Sequence, residues 1–529
     1  METAIAGGVI RGIQGVASAS ATILIGLFIA TVLRFYLGPL GTKRLFGGET
    51  VRSLPQSWLI GMLLPVCSIG VIPMLIEMKR IGVRRGAITA FALAAPLFNP
   101  LSILYGLTLS RPVIIIGFAA ASLLVVTVIG IIWDSITKSN GIEEPVVEDE
   151  SKVIGMRRIF ACVVFAAREL AGPTGAYAFI AILGLVFLGS VLPHGALQTS
   201  VEQGDIWAPL KMAIIAIFIY APPMLTMSQL GMMFDHGNSP GASFCLLLLG
   251  TGINLGTIVW TARNYGIRQT LVWLVSLTAI VIALAYGINK PLIPVGIKPA
   301  GHTHAFDIYT NPLIQGTAIS ASQFYDLSIR DLSIVDKFGL VALAIMLCFG
   351  VASRTLFFGT IERLLAAPAN KEDHIGSHGF QMIVPKQVVG LTGLIGLVVL
   401  SVVGCFAYYP KPSEVLEEMK IARVEVLSNA LSGNYEAALR WIPVLEEWSR
   451  RLEVGSAIRR RELRPYQQAQ THLLRTKLEL LEHLLEHELD DRQAKSNDHN
   501  HKPHSDSDEV KTMIPSISLT SENIVKAYE

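Results

Sequence analysis

The chain has 529 residues, 51% of them hydrophobic and only 16% charged, where soluble globular proteins carry about 25% charged residues. Its formal net charge of +2 gives no basis for a nucleic-acid partner. The mean hydropathy of +0.51 excludes an ordinary soluble protein, and repeated apolar runs near the roughly 20 residues that cross a bilayer predict an all-α polytopic membrane protein.

In chain order, residues 1–135 predict a first repeat of membrane segments and 136–157 a polar linker, acidic over 141–151. Residues 158–290 predict a second repeat, and 291–410 polar loops with two additional spans. Hydropathy predicts about ten membrane segments, centred near residues 27, 68, 97, 123, 184, 218, 251, 278, 348 and 397. The expected fold is a duplicated bundle of about 8 core transmembrane helices with broken segments, about 2 further spans and a soluble C-terminal helical region. Met1-Glu2 lacks a basic n-region, so the first span is expected to act as an uncleaved anchor. Lys79, Arg80, Arg84 and Arg85 place their loop in the cytoplasm by the positive-inside rule.

Residues 411–495 contain no span. Amphipathic stretches over 413–432, 435–452 and 465–490, broken at Gly433, Gly455-Ser456 and Pro465, predict a helical domain outside the bilayer. Leu474, Leu478, Leu481 and Leu485 form an apolar stripe on the last of them. Residues 496–529, rich in histidine, serine and aspartate near their start, are expected to be a disordered tail.

Two patterns recur within 1–290. Pro65, Cys67, Ser68, Gly70 and Pro73 interrupt one apolar segment; Pro223, Thr226, Ser228 and Gly231 mark its counterpart. Proline removes a backbone donor, and the carbonyls freed at membrane depth must be buried in protein or line a wet cavity. Each segment is followed by Gly-Ala, at Gly86 and Gly241, and then by an asparagine among small apolar residues: Pro96-Leu-Phe-Asn99-Pro100 in one half and Asn254 in the other. Duplicated halves with broken helices place a substrate path at their interface. Glu77 and Asp235 close the two broken segments and are the candidates for ion coupling.

The stretch from Leu64 to Pro73, then Gly86-Ala87, then Ala95-Pro96-Leu-Phe-Asn99-Pro100, resembles the signature of the bacterial predicted-permease family that includes the trivalent organoarsenical efflux permeases. The resemblance covers about residues 1–290 and implies a permease of the bacterial cytoplasmic (inner) membrane. In the family pattern a second cysteine follows Cys67-Ser68; here Ile69 stands in its place. Soft metals and trivalent arsenic favour several thiolates, so Cys67 offers a single soft contact.

Elsewhere, His302 and His304, with Asp307 nearby, are either the beginning of a metal site or solvated loop residues. His499, His501 and His504 resemble a low-complexity metal-binding tract, with a plain solvated tail as the alternative. No other cofactor is expected: Walker A, Gly-x-Ser-x-Gly and His-Glu-x-x-His motifs are missing. The sequence therefore predicts a non-enzymatic permease for a small solute or ion, metal and metalloid species included, with the lipid bilayer as its surroundings. The rival is a membrane-anchored sensor or scaffold working through its C-terminal helices. Oligomeric state is not legible.

Overall fold

The computed structural model describes residues 2–48, 50–137, 156–293, 303–313, 320–330, 332–357, 395–396, 399, 402–460, 463–497 and 506–528. Helices dominate, and no strand occurs among the described residues. By length and composition, five helical stretches suffice to cross a membrane: Thr3–Leu45, Pro112–Thr137, Pro173–Val191, Ile267–Asn289 and Ile334–Thr355. A sixth is the pair Pro240–Thr251 and Leu255–Tyr265, bent by 57°. Five expected centres, near 27, 123, 184, 278 and 348, fall on the five stretches, and the centre near 251 falls on the bent pair. The chain is a multi-pass membrane protein.

The remaining expected spans within 1–290 are subdivided. Helix α1 (Glu2–Val32) passes through a π-helical turn at Leu33–Leu37 into α2 (Gly38–Leu45). The segment around residue 68 is α3 (Ser53–Leu63), a non-helical stretch, and α4 (Ile72–Ile81). Around residue 97 lie α5 (Arg85–Ala94) and α6 (Pro100–Leu109), followed by the long α7 (Pro112–Thr137). Each break has a local cause. Pro65 withholds a donor where α3 ends, Gly82 closes α4 in a left-handed conformation at φ 77°, and Pro100 takes the first turn of α6.

A second series of helices follows from residue 156. The amphipathic α8 (Met156–Leu170) and the long α9 (Pro173–Val191) precede α10 (Ala208–Ala216), a break, and α11 (Pro223–Asp235). Then come α12 (Pro240–Cys245), continued by a π-helical turn, α13 (Leu255–Tyr265) and the long α14 (Ile267–Asn289). A short 3₁₀ turn (His304–Tyr309), α15 (Ala321–Tyr325) and α16 (Ile334–Thr355) follow. The expected span near residue 397 lies almost wholly outside the described residues.

The chain divides into two compact units, one of residues 1–106 and 110–398, the other of 107–109 and 399–529. The second contains α17 (Pro412–Leu431), α18 (Tyr435–Arg460), α19 (Pro465–Asn497) and α20 (Asp506–Tyr528). The predicted leucine stripe of α19 is fully buried in its core, against Val415 and Val426 of α17 and Ile442 of α18. Here the expectation of a disordered tail from 496 is corrected, because 506–528 is helical. Val510, Ile514, Ile517, Ile524 and Tyr528 recur at helical spacing and are buried in the same core. The histidine tract at 499–504 lies outside the described residues.

Candidate functional site

The first broken segment is buried from Val66 to Leu75. Cys67, Ser68 and Gly70 sit in the non-helical stretch between α3 and α4, with Cys67 and Ser68 at 0% exposure. The thiol of Cys67 accepts hydrogen bonds from Thr22 Oγ1 at 2.9 Å and from the Gly70 N–H at 3.3 Å. Its carbonyl accepts from the Val71 N–H at 2.9 Å, so protein groups satisfy part of the unwound backbone. Gly70 is required by close approach: a Cβ there would land on the Thr22 carbonyl, and one on Gly26 would land on the Gly70 carbonyl. Pro73 lies in the first turn of α4, as Pro223 does in α11.

The second break, between α10 and α11, brings Tyr220 to the first. Tyr220 is 1% exposed, and its hydroxyl faces Cys67 and Thr22 without a hydrogen bond of ordinary geometry. The Ser68 hydroxyl is likewise buried without a partner among the described residues. Sequence reading missed both Thr22 and Tyr220, since a hydroxyl in an apolar run carries no spacing signal. In the second half, Thr226 and Thr251 share a hydrogen bond of 2.7 Å. Tyr105 of α6 donates to Ser228 of α11 at 3.3 Å, joining the halves. Gly231 differs from Gly70: a Cβ there would meet only Tyr105, at 3.8 Å.

Asn99 and Asn254 do the same job in the two halves. The Asn99 side chain accepts from the Ser102 N–H at 2.7 Å while Ser102 Oγ accepts from the Asn99 N–H at 2.9 Å. Asn254 and Thr257 repeat this reciprocal cap at 2.9 and 3.0 Å. Each asparagine thus ends a turn and starts a helix, satisfying donors that water cannot reach. Pro96 stands in the first of these turns, whose Leu97 packs where a Cβ on Gly252 of the second would project, 3.2 Å away.

Glu77 was expected at a segment end but sits inside α4, 1% exposed. Arg80 pairs with it at 2.5 Å and Arg34, from the π-helical turn after α1, lies 3.7 Å away. Arg34 also lies over the Phe165 ring at 4.5 Å. On α8, outside the apolar spans, Glu169 accepts from Thr174 at 3.1 Å. Burial pushes its carboxyl up, against the opposing pull of Thr174, Arg354 and Arg34. Asp235 is the half-buried last residue of α11, a different setting from that of Glu77.

His304 is docked in the fold and is no solvated loop residue. Its Nδ1 lies 2.8 Å from Asp307 Oδ2, and Gln198 Nε2 donates to Asp307 at 3.1 Å. Arg11 donates to the carbonyls of Asp307 and Thr310, and Gln229 of α11 donates to the Ala305 carbonyl at 2.7 Å. His302, His499, His501 and His504 lie outside the described residues.

Between the halves, Leu75 and Thr89 on one side and Gly252, Trp260, Tyr265 and Trp273 on the other line a cavity of about 20 Å³. That is room for about one water, so no solute route is open at this point in the conformation seen.

Residues 15–290 match the model of a family described as predicted permease. The chain belongs to that family. The matched region contains both broken segments, both asparagine caps and the cavity, whereas the C-terminal helices lie beyond it. Membership marks this predicted permease as a member of a transporter family rather than an enzyme family. No curated protein and no solved structure matches the chain.

Proposed function

We propose that this permease moves a small solute or ion across the bacterial cytoplasmic membrane along the interface of two repeats. The observation that carries the reading is the pair of unwound segments inside the protein, one with Cys67 and Ser68 buried in it and the other with Tyr220. A passive anchor has no use for paired unwound segments, whose carbonyls demand partners at membrane depth.

The duplication is supported by a constant offset. Gly86 and Gly241, Asn99 and Asn254, and Asp134 and Asn289 are each 155 positions apart (241 less 86, 254 less 99, 289 less 134). Substrate groups would meet Cys67, Ser68, Tyr220, Thr226 and Ser228 along the path. A soft metal or metalloid species would have Cys67 as its one thiol there. Of the two coupling candidates we favour Glu77, because it is a carboxylate buried inside the protein beside two arginines. Metal contacts at His302 and His304, or in the tail at His499, His501 and His504, would be accessory to this path.

Purified protein in proteoliposomes gives the test. Efflux of trapped radiolabelled arsenite, and of small inorganic ions in parallel, should exceed that from empty vesicles and fall at least tenfold in a Tyr220→Leu variant that inserts normally. Efflux unchanged by that substitution would remove the proposed path.

A further inference from the structure

The cavity between the halves is walled by hydrogen-bond donors that no group among the described residues satisfies. Trp273, 3% exposed, lines it with a buried indole N–H that has no partner among the described residues. The buried hydroxyl of Tyr265, another wall residue, has none either. Trp133, fully buried and in edge contact with both rings at 5.4 and 6.1 Å, has a third such N–H. Buried donors without acceptors are rare, and each costs the desolvation of a polar group. Three in one aromatic cluster call for a common explanation.

The neighbouring groups give the sign of the missing partner. Thr89, Thr257 and Thr261, which also line the cavity, already donate to the backbone carbonyls of Arg85, Asn254 and Thr257. Among the described residues no carboxylate lines the cavity. Lys79, held by Asn264 at 2.6 Å, places its ammonium 5.4 Å from the centre of the Tyr265 ring, and the Arg85 charge also acts on Tyr265. The nearby acid, Asp134, is engaged by Arg84 at 2.6 Å and by the Gly86 N–H. Unpaired donors, two cations and no free acid attract an anion. The volume limits it to about the size of a water.

We infer that the cavity bounded by Trp260, Tyr265 and Trp273 is a binding site for a small monovalent anion, with Trp273 Nε1 and Tyr265 Oη as donors. The aromatic side chains supply a dry wall, and Lys79 and Arg85 supply the field. Because the walls come from α4 and α5 on one side and α13 and α14 on the other, an occupant would tie the two halves together. The inference concerns binding alone and does not require that the anion be the cargo.

Full-length protein in nanodiscs of purely zwitterionic lipid is titrated with sodium chloride against sodium gluconate at constant ionic strength, reading tryptophan emission. A saturable response to chloride is expected. Tyr265→Phe, which keeps the ring and every tryptophan, should weaken the apparent affinity at least tenfold, and Trp273→Phe should do the same. Should one variant fail to fold, the other decides. A response that is linear, or identical in the folded variants, overturns the proposal and leaves water as the occupant. A parallel titration in discs containing anionic lipid separates a lipid phosphate from the free ion. A signal that requires anionic lipid and ignores chloride also overturns the assignment.

Discussion

The backbone N–H of Gly86 donates to Asp134 Oδ1 at 2.7 Å, tying the start of α5 to the end of α7. The second half repeats the bond between Gly241 and Asn289 at 3.0 Å. The residue two positions before each glycine joins in: Arg84 donates to Asp134 at 2.6 Å, and Ser239 donates to Asn289 at 3.0 Å. One clamp is ionic and the other neutral, on the same backbone plan.

This difference predicts unequal responses to one chemical change. Asp134→Asn keeps an oxygen for Gly86 but loses the charge facing Arg84, and should cost about 1–3 kcal/mol. Asn289→Asp introduces a charge with no cation in the clamp and should also destabilise. The double variant Arg84→Ser with Asp134→Asn copies the second clamp and should recover part of the loss. Thermal unfolding in detergent reads all three.

Close approach, not conformational freedom, explains the glycines that matter. Gly26→Ala and Gly70→Ala each drive a methyl into a backbone carbonyl and should cost about 1–3 kcal/mol by overpacking, with transport lost in both. Gly231→Ala meets only ordinary contact and should retain transport. The larger Gly231→Leu should abolish it while membrane insertion stays intact, because the side chain would reach past Tyr105. A Gly70→Ala variant of normal stability and activity would refute the packing argument.

Removing a cap should act equally in the two halves. Asn99→Ala and Asn254→Ala each forfeit a reciprocal cap worth about 1 kcal/mol, and because Leu97 of one turn packs near Gly252 of the other the double variant reads any coupling between them. Asn99→Asp keeps the accepting oxygen and should lose less than Asn99→Ala. Melting temperatures of the four proteins, the double alanine variant included, test this.

Glu169 supplies a pH signature. Burial raises its carboxyl above the ordinary range, so the penalty for the charged form is absent below the unfolded-state value. That penalty grows as pH rises through the folded-state value. Glu169→Gln should therefore be more stable than the wild type at neutral pH, with the difference vanishing in acid. Equal gaps at both pH values would contradict the assignment.

Much of this architecture was readable from residue spacing. The paired Gly-Ala and asparagine positions located both capped turns, and the long apolar runs located the five spans. The leucine stripe of α19 marked a buried face. Three things were not readable. Tyr220 and Thr22 approach Cys67 only through the tertiary fold, so no local pattern announces them. The α20 helix was hidden by serine-rich composition, although its isoleucines keep helical period. Gly231 looked equivalent to Gly70, but equivalence in sequence does not fix what packs opposite a Cβ.

The C-terminal unit has a core of its own, assembled from α17 to α20. Residues 411–529 expressed alone should give a soluble, cooperatively melting helical fragment. Truncation at 505 should destabilise it by removing Ile517, Ile524 and Tyr528 from that core. Urea unfolding of the two fragments, followed by circular dichroism, compares them directly.

Solute flux through the meeting point of the two breaks tests the central claim most directly. Efflux of radiolabelled arsenite and small inorganic ions from proteoliposomes should be measured for the wild type and for an Asn99→Ala, Asn254→Ala double variant. Equal amounts of inserted protein are required. The account predicts protein-dependent efflux of at least one of these species, reduced at least tenfold when both turns lose their caps. Efflux at the wild-type rate from the double variant would contradict it.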